Sequence, residues 1–129
     1  MEQPGTAKAE DPNGPDNQRA TISREMVRLY KDLFGRGPTK AHTVIAQDVI
    51  LCTLEDSLTL AERNMAEMGE HQRLRDVRTF FQHASDKEFR GVIEEITGRE
   101  VRAFVSGIDT AKDVSSEVFY LEPQVAPAS

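Results

Sequence analysis

Apolar residues recur at three- and four-residue steps early in the chain. Ile22, Met26, Leu29, Leu33 and Phe34 form one stripe, the mark of an amphipathic helix with a single buried face. This predicts a first helix from about Ala20 to Phe34. Gly35 stands where helices commonly end in a left-handed residue, and Pro38 forbids continuation. The pattern then changes. Lys40 to Ala46 alternates loosely, and Asp48 to Leu54 (DVILCTL) is β-rich and apolar at successive positions. With Gln47-Asp48 as a tight turn, the two segments read as a hairpin. A strand apolar on both faces is usually covered on both faces. Helices are therefore expected on one side of this sheet, and helix one or a second subunit on the other.

A second helix begins at Thr59, where Thr59-Leu60-Ala61-Glu62 has the form of a capping box. It runs to about Met68 and stops at Gly69, with Leu60, Ala61, Met65 and Met68 as its buried face. From Glu70 to Thr97-Gly98, Leu74, Val77, Phe81, Phe89, Val92, Ile93 and Ile96 keep helical spacing. Neither Gly91 nor any proline breaks that pattern near its middle, so one long helix is expected. Any bend belongs at Ser85-Asp86-Lys87-Glu88, a second capping-box sequence. Val101 to Gly107 and Glu117 to Leu121 read as the last two strands, joined by a long polar loop from Asp109 to Ser116. The predicted fold is α+β in the order α-β-β-α-α-β-β, with helices packed on a four-stranded, mainly antiparallel sheet.

Composition sets the limits of this unit. Residues 1–19 hold three of the six prolines and no large apolar residue beyond Met1, too little to offset the entropy of ordering them. They read as a disordered tail, and 123–129 as a flexible one, around a single domain at 20–122. The net charge of −6 repels phosphate and argues against nucleic-acid binding. The longest apolar run, Val49-Ile50-Leu51-Cys52, falls far short of the roughly 18 residues of a membrane helix. Insertion into a membrane is therefore not expected. A single cysteine forms no intrachain disulfide and suits a reducing compartment, so a cytoplasmic location is expected.

Candidate chemistry is sparse. Gly35-Arg36-Gly37-Pro38 admits an anion to backbone amides, with charge from Arg36 and Lys40, but capping and chain reversal explain the same residues. Arg75 and Arg78, three apart, share a helical face and offer a second basic element, while Arg73 points elsewhere. Together Arg36, Lys40, Arg75 and Arg78 are the candidate anion-binding set. His42, His71 and His83 lack metal-ligand spacing, and no metal or cofactor is expected. Glu55-Asp56 could supply an acid and a base, and Cys52 a nucleophile beside His42. Turn formation and burial account for them more simply, and no catalytic residue is assigned.

The ordered set Gly35-x-Gly37-Pro38, an apolar strand, Leu58-Thr59-x-x-Glu62, Arg78 in the long helix and Thr97-Gly98-Arg99-x-Val101 resembles the MpsC-like family of bacterial proteins. The resemblance spans about 20–122 and leaves out the proline-rich tail. It implies a small protein associated with inorganic-carbon or cation transport systems, with no known catalytic mechanism. The expectation is a non-enzymatic interaction module, homodimeric, with a membrane-transport protein as partner. The alternative is a sensor of small anionic ligands.

Overall fold

The first helix is present and longer than its apolar stripe. In the computed structural model, which describes residues 14–124, α1 spans Pro15–Phe34. Proline suits a first helical turn, because its φ is already helical and its missing N–H would have no partner there. Residues 15–19, which composition assigns to the tail, are therefore helical. The rest of that tail, 1–13, and residues 125–129 of the other lie outside the described residues. At its far end α1 stops as the sequence predicts. Gly35 adopts φ 83°, and its N–H donates to the Lys31 carbonyl.

β1 (Lys40–Ala46) and β2 (Val49–Glu55) form the expected hairpin, with Gln47 at φ 54° in the two-residue turn. β3 (Val101–Asp109) and β4 (Val114–Leu121) form the second. All pairs are antiparallel, in the spatial order β1-β2-β4-β3. The long loop expected from Asp109 to Ser116 is a short turn instead. The Asp109 carboxylate accepts the N–H groups of Ala111 and Lys112, and Asp113 takes the left-handed conformation that Asp tolerates. β4 therefore starts three residues earlier than its apolar pattern shows.

The expected long helix is two helices, α3 (His71–Ala84) and α4 (Asp86–Thr97), preceded by the short α2 (Leu60–Glu67). The break falls at Ser85, where the sequence marks a possible bend, but the second capping box is not made: Ser85 forms no side-chain cap. Gln82 and Phe89, two helical turns apart, both stay buried. The inward face thus carries on across the break. On one side of the sheet, Ile22, Met26 and Tyr30 of α1 and Phe89 and Ile93 of α4 pack with Ile50, Leu54, Phe119 and Leu121. Phe89, Phe104 and Phe119 stack in a run, with ring centres 5.3 and 4.8 Å apart.

The expected inner face of α2 is not buried. Leu60 and Met68 are each 75% exposed, and no residue of α2 is fully enclosed. The helix is seated by the carboxylate of Glu62 rather than by its apolar stripe. Two substitutions separate these environments. Phe89→Ala is expected to cost about 3–5 kcal/mol, and Leu60→Ala less than about 0.5 kcal/mol, both read from urea unfolding.

Candidate functional site

All the contacts that tie helix to strand lie on one side of the sheet. Ser23 of α1 hydrogen-bonds Thr43, Tyr30 of α1 donates to Glu117, and Phe89 of α4 stacks on Phe104. The strand register places Thr43, Cys52, Glu117 and Ser106 in one row across this covered face.

The alternate residues line the other face, and there the register builds two apolar rows. One is Val44, Leu51, Val118 and Val105, crossing all four strands; beside it lie Ala46, Val49, Tyr120 and Ala103. Val44 is 42% and Val105 55% exposed. Arg102, freed from the ladder by the irregularity between Val101 and Ala103, sits over the Tyr120 ring at 5.7 Å. Further along, the rows turn polar (His42, Thr53, Ser116, Gly107) and then charged at Lys40, Glu55 and Asp109. No helix among the described residues covers this face. Of the two coverings expected for a doubly apolar β2, the described residues supply one.

The covered face holds an unusual group: a carboxylic acid in the core. Glu117 is fully buried. Its Oε2 accepts from the Tyr30 hydroxyl and, at 3.0 Å, from Gln82 Nε2. Its Oε1 and the hydroxyls of Ser106 and Ser115 are buried without a hydrogen-bond partner. Burial pushes the Glu117 carboxyl up to about 7, against the opposing pull of the Ser106, Tyr30 and Gln82 donors and the Arg78 charge. Burial and the neighbouring Glu117 likewise raise the Tyr30 hydroxyl well above its ordinary range. Because the folded state favours the protonated acid, Glu117 supports the fold most fully below the ordinary carboxylate range. That support fades as pH rises to about 7.

Next to this cluster lies Arg78, also fully buried. It donates to both carboxylate oxygens of Glu62, at 2.8 and 2.7 Å, and to the Ser57 carbonyl at 3.0 Å. Its guanidinium lies over the Phe34 ring, 3.7 Å from the centroid. The predicted capping box at Thr59 is formed, so Glu62 both caps α2 and neutralises Arg78. Burial would raise the Glu62 carboxyl, but hydrogen bonds from Arg78 and Thr59 outweigh it and hold it below its ordinary value.

The four residues proposed for an anion therefore do not converge. Arg78 is inside, whereas Arg75 is exposed on α3 and bonded to Gln72. The two do not share an open face, because a three-residue step carries one side chain off the buried edge. Arg36 is turned to the carbonyls of Asp56 and Leu58 and to the Asp56 carboxylate. Lys40 lines a separate cleft with Glu55, Asp56, Arg63 and Lys112, where both signs of charge meet. The Arg36 and Thr39 hydrogen bonds lower the Asp56 carboxyl. Gly37 packs closely on Val27, and Gly98 caps α4 at φ 71°.

His42 and Cys52 lie on opposite faces, since Cys52 pairs with Thr43 in the ladder. Burial pushes the Cys52 thiol up to about 12. His71 bonds the Thr110 hydroxyl, and His83 is exposed in the last turn of α3. Sequence reasoning missed Glu117, Tyr30 and Gln82 altogether. The available signal was the alternation of Val114, Ser115, Ser116 and Glu117, a strand pattern whose inward positions are polar.

A family profile described as "Na+-translocating membrane potential-generating system (MpsC)" matches residues 16–123. The Bacillus subtilis (strain 168) protein YrhF, itself described as uncharacterized, is 27% identical over 100 residues. That alignment covers 76% of this chain and 82% of YrhF. No solved structure matches.

Arg75 and Arg78 of α3 give a direct test of this geometry. Arg78→Ala strands Glu62 beside the core and is expected to destabilise by about 3 kcal/mol. Arg75→Ala is expected to change stability by less than about 0.5 kcal/mol. Thermal unfolding of both variants checks the difference.

Proposed function

We propose, from the premise that this chain belongs to the MpsC family, that it is a non-enzymatic interaction module that pairs with a second copy of itself through its uncovered sheet face. The carrying observation is the row Val44, Leu51, Val118 and Val105, continued by Val49 and Tyr120. Apolar side chains are retained on a face that no described helix shields. A two-fold axis lets this one patch meet itself, which is the simplest way for a single surface to find its partner. Apolar rows then face apolar rows, while the charged end stays at the rim.

The size of the face limits the strength of the pairing. Four strands at about 4.8 Å spacing and seven residues at about 3.4 Å give roughly 450 Å² per protomer. The total of roughly 900 Å² is at the low end of specific interfaces, where pairing is reversible and dependent on concentration.

The family's description concerns a Na+-translocating system, and no helix among the described residues is long and apolar enough to cross a membrane. This favours an accessory role, in the cytoplasm, beside a membrane transport protein. Two of the acidic side chains are held in ion pairs. Asp56 pairs with Arg36 and Arg63, and Glu62 with Arg78.

Sedimentation velocity over a hundredfold range of concentration should show reversible dimerisation of the wild-type protein, and Val105→Lys should be monomeric throughout with unchanged helix content. A wild-type protein that stays monomeric at hundreds of micromolar would overturn the homodimer reading.

A further inference from the structure

α3 is seated on its polar side. Of its buried residues only Leu74 is apolar; the others are Arg78 and Gln82. The side chains that would ordinarily fasten a helix face outward instead, with Phe80 66%, Val77 43% and Phe81 39% exposed. Beyond Leu74 and an edge-on contact of Phe81 with Phe34, ring centres 6.2 Å apart, little apolar contact holds α3 down, so its seat leans on its polar side chains, with His71 on Thr110 at its start. Arg78 grips Glu62 and Ser57. Gln82 donates to Glu117 and lies near the Tyr30 hydroxyl. The helix then ends at Ser85, a joint without a side-chain cap.

We propose that α3 is a proton-controlled flap: while the Glu117 carboxyl keeps its proton, Gln82 holds α3 against the sheet, and loss of that proton to solvent frees α3 to lift about Ser85. The geometry supplies the reason. Tyr30 and Gln82 both donate to Oε2, which leaves Oε1 to carry the proton. Across the ladder from Glu117 is Ser106, whose buried hydroxyl is unpartnered and available to accept that proton in a hydrogen bond. Ionised Glu117 would instead be a charge in the core, offset by the neutral donors Ser106, Tyr30 and Gln82 but by no cation of its own. Lifting α3 lets water reach it.

The groups surrounding Glu117 do not replace the proton. Tyr30 on α1 and Cys52 on β2 are neutral in this pH range, both pushed upward. Arg78 on α3 is the nearby cation and is already committed to Glu62. Lifting also frees the apolar flank of Val77, Phe80 and Phe81 to repack. This reading is independent of the sheet-face dimer, because α3 lies on the opposite side.

Hydrogen exchange of the α3 amides, corrected for intrinsic rates, tests the flap between pH 5 and 8.5. If opening exposes Glu117 to water, protection of Arg78–Ala84 should fall more than tenfold from pH 5 to 7 and then level off. The amides of α1, α4 and the central strands should stay more protected. In Glu117→Gln the Glu117-dependent fall should vanish. Tyr30→Phe removes a bond that favours the carboxylate, so the levelling should move to higher pH. It serves as the test if Glu117→Gln does not fold. Protection of α3 that does not change with pH would overturn the proposal. So would a fall shared equally by every core amide, or one undiminished in Glu117→Gln or unmoved in Tyr30→Phe.

Discussion

A four-stranded sheet with aliphatic side chains on both faces, and described helices on only one, leaves apolar surface open. That imbalance governs the rest of the molecule. The helices are committed to the covered face by Ile22, Met26 and Tyr30 of α1 and by the aromatic run Phe89, Phe104 and Phe119. Among the described residues no helix remains to shield Val44, Leu51, Val118 and Val105. Hydrophobic burial is the main favourable term in folding and in association alike, so a face that folding leaves open is the natural place for association. The account of function through a shared surface rests on this one-sidedness.

The covered side has its own departure from a simple core. Its helices meet the sheet through apolar packing at one end and through Tyr30, Gln82, Glu117, Arg78 and Glu62 at the other. Buried polar groups of this kind contribute less to stability than apolar residues of equal volume, because each must recover what it loses on leaving water. What they confer is dependence on state. An apolar seat for α3 would hold at any pH, whereas one made through Gln82 and Glu117 responds to a proton. The sheet face and the α3 seat thus point to two properties on opposite sides of one domain, association and a conditional helix.

The fold was largely legible in the sequence because its signals are local. Gly35 and Pro38 end α1, Thr59 and Glu62 start α2, Gly98 ends α4, and DVILCTL is a strand. The errors share one physical cause: periodicity shows which residues lie together on a helix face, but not which way that face points. α2 turns Leu60 and Met68 outward and α3 turns Val77 and Phe80 outward, because Glu62, Arg78 and Gln82 have partners inside. β4 was cut short for the same reason, since its inward Ser115 and Glu117 are polar. The candidate anion set failed because Arg36 and Arg78 are held by neighbours far away in sequence. The apolar second face of β2 was visible from the start, although whether this chain would cover it was not.

The most direct measurement of the central claim is the accessibility of individual methyl groups. With isotope-labelled valine and leucine methyls and a soluble paramagnetic agent, spectra at high and low protein concentration report which side chains become shielded. The account predicts that Val44, Leu51, Val105 and Val118 lose accessibility together as concentration rises, while the exposed Leu60 of α2 does not. Equal accessibility of those four methyls at every concentration, or shielding centred on Leu60 instead, would contradict it.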